Sequence, residues 1–145
     1  MIEIRGEGIK ELIPQRSPMI MVDTFYGATE SEADTGLTVA DDNLFCSDGF
    51  FVESGLVEHI AQSASAFAGY QAKVKNKPTP IGFIGEVKKF RINFLPRTGD
   101  KLCTHIRIIS EVLGVSLLAA ETKVGAEIAA QCQMKIFIKP DDKNL

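Results

Sequence analysis

The chain has 145 residues, 45% of them hydrophobic and 24% charged, and a formal net charge of −3 at pH 7. That length fits one domain, residues 1–145, around a single core, and the composition excludes a disordered or low-complexity chain. The weakly polar stretch from Phe50 to Tyr70 is broken by Glu53, Glu58, His59 and Gln62, which excludes a membrane span and reads as a buried helix.

In chain order, Ile9 to Ile13 is apolar at helical spacing and closed by Pro14, which predicts one or two helical turns. Met19-Ile20-Met21-Val22 reads as a strand. Thr24 to Val39 mixes β-formers with acidic residues and is punctuated by Gly27 and Gly36, predicting a hairpin-like pair of strands with a loop near Glu30 to Glu32. Asp41 to Phe51 is a loop in which Asp48-Gly49 reads as a turn. Ser54 is a candidate N-cap for a helix from Gly55 to about Lys75. Its Ala61, Ala64, Ala66, Ala68 and Gly69 let the backbone come close to its surroundings, as in a helix wrapped by a sheet. Asn76 to Pro80, with two prolines, ends it. Four β-rich segments follow, Ile81 to Phe94, Lys101 to Ser110, Val115 to Lys123 and Glu127 to Lys139, separated by turn signals at Pro96 to Asp100, Gly114 and Gly125. No helix intervenes between them, so they should pair antiparallel as a meander.

Cys46, Cys103 and Cys132 are an odd number at wide spacings, which argues against a disulfide framework or a zinc ribbon. With only His59 and His105 as imidazoles, no metal is expected. Met1-Ile2-Glu3-Ile4-Arg5 lacks a basic region followed by an apolar one, so a cytoplasmic protein is the default expectation. Residues 73 to 101 carry a net charge of +6 through Lys73, Lys75, Lys77, Lys88, Lys89, Arg91, Arg97 and Lys101, and the rest of the chain carries −9. Such a segment is either a solvated face or a surface that steers an acidic partner. Nucleic acid is a poor candidate partner because the aromatic residues are not interleaved with the basic run.

Three segments carry a family resemblance. Ile9-Lys-Glu-Leu-Ile-Pro-Gln-Arg-Ser-Pro-Met-Ile-Met-Val-Asp23 resembles the Leu-Pro-His-Arg-x-Pro-x-Leu-Leu-Val-Asp motif of the FabZ-type 3-hydroxyacyl-thioester dehydratases, with Gln15 in the place of its histidine. Gly55-Leu-Val-Glu-His-Ile-Ala-Gln62 is similar to the family's Glu-x-x-Ala-Gln signature, and the stretch from Ile81-Gly-Phe-Ile-Gly85 through Phe90-Arg91 to Pro96-Arg-x-Gly-Asp-Lys101 matches its later motifs. Among relatives, the Gly-Phe-Ile-Gly motif at 82 to 85 and the Ala-rich helix resemble the ApeP-like branch of aryl polyene biosynthesis. The resemblance covers roughly residues 9 to 138 and implies an α+β hotdog fold, a curved antiparallel sheet wrapped around one long central helix.

What it implies chemically is dehydration of a 3-hydroxyacyl thioester held on acyl carrier protein, with one histidine and one carboxylate sharing acid and base roles. Glu58 matches the family carboxylate. The family histidine sits in a His-Phe-Pro-Gly loop, and the corresponding residues 43 to 53 contain no histidine. The expectation is therefore an acyl-thioester-binding, catalytically impaired subunit without cofactor, acting as a homodimer or beside a His-bearing paralogue. Two alternatives stay open: an active dehydratase whose base is Cys46, Asp48, Glu53 or His59, and a thioesterase in which Glu58 activates water. Backbone amides of Gly55 and Leu56 at the helix start are candidate partners for the thioester carbonyl. Gly82 and Gly85 allow close approach of the facing strand to substrate, or else mark a β-bulge. Phe50, Phe51, Ile84 and Phe67 are candidates for an acyl tunnel or for core, and Gln62 completes the candidate substrate-binding set.

Overall fold

A computed structural model describes residues 3–78 and 80–138. A two-residue strand β1 (Ile4–Arg5) and a 3-10 helix (Gly6–Glu11) precede β2 (Thr24–Ala28) and β3 (Glu32–Thr38). A small hairpin of β4 (Cys46–Ser47) and β5 (Phe50–Phe51) leads into α1 (Glu53–Val74), followed by β6 (Gly82–Ile92), β7 (Lys101–Val112), β8 (Val115–Val124) and β9 (Glu127–Ile138). Seven strands form one antiparallel sheet in the order β1-β2-β3-β7-β8-β9-β6. With α1 on its buried face, this is the α+β hotdog arrangement. Among the described residues, no helix is long and apolar enough to cross a membrane.

Turn chemistry placed several elements where the sequence indicated. Asp48 and Gly49 both take positive φ, 52° and 81°, and form the two-residue turn between β4 and β5. Asn76, at φ 59°, closes α1: its N–H donates to Lys73 O at 3.1 Å, and the Lys77 N–H donates to Ala72 O at 2.8 Å. This is the paired helix-ending pattern that a left-handed residue permits. The start of α1 differs from expectation. Its N-cap is Val52, with no side-chain cap, and Ser54 lies inside the first turn.

Two strand expectations need correction. Met19 to Val22 joins no ladder; Met19 O, Met21 N and Met21 O are taken by side chains of α1 instead, as described below. The last four segments also do not form a four-stranded meander, because β6 pairs with β9 at the sheet edge and β7 pairs with β3. Residues 93–100 carry the chain across. Asn93 N donates to Ala129 O at 2.8 Å, Phe51 N to Pro96 O at 2.7 Å and Gly99 N to Val39 O at 2.7 Å, so the crossing connection is tied to β9, β5 and the end of β3. The last expected strand ran to Lys139, which lies outside the described residues.

The first half of β7 alternates exposed and buried residues, and β8 alternates half-buried and buried ones through Thr122. Their inner residues, with Cys132, Met134 and Ile136 of β9, meet Ile60, Ala64 and Phe67 of α1 in the larger core cluster. A smaller cluster holds Met21, Phe51, Leu56 and Leu102 at the start of the helix. Gly69 is where α1 passes the backbone of Leu12: a Cβ there would collide with the Leu12 carbonyl. Backbone cannot swing away as a side-chain tip can, so Gly69→Ala is expected to cost at least about 2 kcal/mol and lower the melting midpoint by roughly 4–8 °C. An unchanged thermal midpoint by circular dichroism would show that the helix has room to shift.

Candidate active site

One turn and a half of α1 is fastened to the rest of the fold by polar groups. Thr35, Thr104 and Thr122 lie side by side in register on β3, β7 and β8, all buried. Ser63 donates to His59 O at 2.8 Å, so its oxygen is left to accept the Thr35 hydroxyl at 2.7 Å. His59, wholly buried, places Nδ1 2.6 Å from Met21 O and Nε2 2.7 Å from Thr104 Oγ1. A carbonyl only accepts, so Nδ1 carries the proton; Nε2 then accepts from Thr104, whose oxygen accepts from Thr122 at 2.7 Å. Burial pushes the His59 pKa down to about 4, against smaller upward contributions from the Met21 hydrogen bond and Asp23. The imidazole is neutral at ordinary pH.

Gln62, also fully buried, completes the fastening. Its Oε1 accepts from Met21 N at 2.6 Å, and its Nε2 donates to Met19 O and to Glu58 Oε2, each at 2.7 Å. Between them His59 and Gln62 take up Met19 O, Met21 N and Met21 O, groups that a neighbouring strand would otherwise have paired. The same amide fixes the direction of the Glu58 carboxylate.

Neighbouring helical residues point about 100° apart, so with His59 aimed at β7, Glu58 faces the β6 edge. There it lines a cleft of about 260 Å³ together with Gln15, Ala61, Ser65, Gly82 and Ile84. A second hollow of about 190 Å³ continues along α1 past Phe67 and Gln71, sharing Ala64, Ala68, Pro80 and Ile136 with the first. The stripe of small helix residues thus forms the floor of a largely apolar groove, with the Glu58 carboxylate in its first part and Glu111 bordering its far part. A shallow depression at the helix start borders Glu58 on its other side, between Glu53 and Val57.

The other candidate residues fall in different places. Gly55 and Leu56 are buried, and both amides donate to Val52 O, at 2.9 and 3.2 Å, so neither is presented outward for a thioester carbonyl. A Cβ at Gly55 would strike Phe45 and Phe51, so the glycine serves the packing of the helix start. Gly85 sits at a register shift in β6 with the Phe137 ring over it, the bulge that the sequence left as one option, while Gly82 lines the cleft. Phe51 and Phe67 are core; Phe50 is partly exposed beneath the Arg97 guanidinium, 5.1 Å away. Cys46 is half-buried, and desolvation, followed by Asp41, raises its thiol pKa. Among the described residues, no group of three His, Cys, Asp or Glu side chains is placed to hold a metal ion.

The second histidine is also engaged away from the cleft. His105 is on the outer face of the sheet, with Nδ1 2.8 Å from Asp34 and Nε2 2.9 Å from Glu32. Burial pulls its pKa down, but the two carboxylates outweigh that and raise it overall.

A family model described as ApeP dehydratase matches residues 7–145. The chain belongs to the ApeP-like dehydratase family. A 3-hydroxyacyl-[acyl-carrier-protein] dehydratase FabZ from Thermoanaerobacter sp. (strain X514) is 26% identical over 145 residues, covering 96% of this chain and 99% of that protein. The dehydratase heterocomplex ApeI:P from Xenorhabdus doucetiae has the same fold, with a TM-score of 0.80 at 13% identity over 93% of this chain and 92% of that one. A hypothetical thioesterase from Streptococcus pneumoniae TIGR4, solved with coenzyme A, shares it at a TM-score of 0.64 and 8% identity, over 81% and 85% of the two chains.

In this ApeP-like chain most polar residues of the leading motif are structural. Arg16 donates to Lys10 O, Ile13 O and Gln15 O, and Asp23 accepts from the Thr24 hydroxyl and the Thr38 amide. That Gln62 positions Glu58 was legible beforehand only in their i, i+4 spacing on one helix face.

The His59 pKa makes stability depend on pH. Unfolding restores an ordinary histidine that binds a proton below about pH 6.5, whereas the native one resists protonation down to about 4. Its contribution is complete above about pH 6.5 and is lost as the pH falls toward 4. At full shift that is about 3 kcal/mol. His59→Gln should lower the melting midpoint at pH 7 and flatten its fall between pH 6.5 and 4; a variant curve parallel to the wild type across that window would contradict the linkage.

Proposed function

We propose that this chain supplies the carboxylate half of a 3-hydroxyacyl-thioester dehydratase site, and that a paralogous hotdog subunit, docked along the β6 edge, brings the histidine. The observation that carries the reading is the placement of Glu58 in the cleft while both histidines are committed elsewhere, His59 in the core and His105 on the far face. A second copy of the chain would bring the same two histidines in the same positions, so a homodimer does not complete the pair.

Dehydration removes a proton from the carbon next to the thioester carbonyl and expels the 3-hydroxyl as water, leaving the enoyl thioester. Glu58, oriented by Gln62, is the group in the cleft able to move one of those protons. The apolar hollow continuing along α1 suits an acyl chain, and Gly82 and Ile84 would line its entrance. Unpaired strand edges invite pairing with another subunit. The β6 edge does so with exposed apolar residues: Phe83 is 58% exposed and Ile84 43%.

The basic segment supports an acidic carrier in part. Lys73 pairs with Glu11, Lys88 with Glu86, and Arg97 stacks on Phe50. Lys89 and Arg91, with Arg107 of β7, make no ion pair among the described residues and rim a depression on the outer sheet face. These three offer a surface complementary to acyl carrier protein.

The test is turnover of a 3-hydroxyacyl thioester on carrier protein. The chain alone should give product at about 10²- to 10⁴-fold below a complete acid–base pair. Co-expression with a His-bearing hotdog dehydratase subunit whose own helix carboxylate has been replaced should restore enoyl formation, and Glu58→Gln in this chain should abolish it again. Rapid enoyl formation by the chain alone would overturn the half-site, and release of free thiol without enoyl product would replace it with thioester hydrolysis.

A further inference from the structure

Among the described residues, one buried side-chain polar atom has no hydrogen-bond partner, and it belongs to the leading motif. Arg16 and Asp23 are absorbed by backbone groups, and the Met19–Met21 backbone by His59 and Gln62. Gln15 is different. Its Oε1 is out of contact with solvent, and no donor among the described residues reaches it. Leaving a buried acceptor unpaired is destabilising, whereas an apolar side chain of similar shape would carry no such cost. The residue nevertheless lines the same cleft as Glu58, whose other walls, apart from the Ser65 hydroxyl, are apolar: Ala61, Ala64, Ala68 and Ile84 among them.

We infer that the Gln15 carboxamide is a polar anchor of the cleft beside Glu58 and accepts a hydrogen bond from the 3-hydroxyl of the acyl thioester. This rests on the cleft being the acyl-thioester site. The choice of donor follows from the ligand chemistry. A thioester carbonyl and sulfur only accept hydrogen bonds, and a saturated or unsaturated acyl chain offers neither donor nor acceptor. Within the acyl group, the 3-hydroxyl alone can satisfy Oε1. The terminal torsion of a glutamine is broad and shallow, so a small rotation turns the acceptor into the cleft that the side chain already lines. The enoyl product has lost the hydroxyl, so Gln15 holds substrate in preference to product. The carboxamide does not titrate, so it takes no part in proton transfer and acts as a specificity-determining residue.

The experiment is equilibrium binding of two pantetheine thioesters, 3-hydroxyoctanoyl and octanoyl, to the full-length wild type, Gln15→Leu and Gln15→Asn, alongside thermal melts of the same proteins. One net hydrogen bond corresponds to a preference for the hydroxylated ligand of about three- to tenfold. Wild type should show that preference. Gln15→Leu should lose it while binding octanoyl thioester as tightly as wild type, and should melt at a higher temperature because the orphan acceptor is gone. Gln15→Asn, which keeps the carboxamide on a shorter stem, should fall between the two. If Gln15→Leu keeps the hydroxyl preference, the inference fails and the cleft remains the acyl site. A Gln15→Leu that melts lower and binds both ligands as wild type does would mean the oxygen is paired within the protein, and also overturns it. If wild type binds neither thioester, the reading of the cleft falls and Gln15 with it.

Discussion

The contact on which the rest of the molecule depends is that of His59 with the Met21 carbonyl on one side and Thr104 on the other. It joins three things that sequence separation keeps apart: the segment after the leading motif, the central helix and the middle of the sheet. Because the imidazole has two distinct nitrogens and one proton to share, the contact has a direction, and the direction runs on through Thr104 to Thr122. A buried polar chain of this kind is unfavourable half-made, since each unsatisfied member keeps its desolvation cost. It therefore specifies one rotation of α1 about its axis, and that rotation aims Glu58 at the sheet edge. The histidine next to the family carboxylate is thus structural, and its burial is what leaves Glu58 without a histidine from its own chain.

The β6 edge is shaped by a comparable constraint. Lys88 pairs with Gln133 but Arg91 with Gln131, so one extra residue enters β6, and Lys89 takes φ 52° to accommodate it. The extra residue changes which side chains face inward: Phe90 and Ile92 pack on the core, while Lys89 and Arg91 stay on the outer face. A strictly alternating strand continuing from inward-facing Val87 would have done the reverse. Placing a lysine in the left-handed region costs about 1 kcal/mol or more, offset by the apolar area of Phe90 and Ile92 that it lets the core retain.

Much of this was legible in the sequence, wherever the determining chemistry is local. Asn76 and the prolines after it end the helix, Asp48-Gly49 makes the turn, and the small residues of α1 leave room for the groove at Ala61, Ala64 and Ala68 and for the Leu12 backbone at Gly69. The spacing within the signature singled out Glu58, which lines the cleft. What could not be read depends on partners distant in sequence. Met19 to Val22 has strand-like composition, but Gln62 and His59 replace the neighbouring strand. The position of β6 beside β9 depends on where residues 93–100 find acceptors. Gly55 and Leu56 look available at a helix start, and only the packing of Phe45 and Phe51 around them shows that they are enclosed.

The central claim is that neither histidine of this chain can serve as the acid–base partner of Glu58. Nitrogen-15 NMR of the two imidazoles across pH 8 to 5 tests it directly. His59 should remain neutral throughout with its proton on Nδ1, and, despite burial, the His105 pKa should be raised by Asp34 and Glu32. A His59 that titrates near pH 6.5, or that carries its proton on Nε2, would contradict the claim and return it to the catalytic candidates.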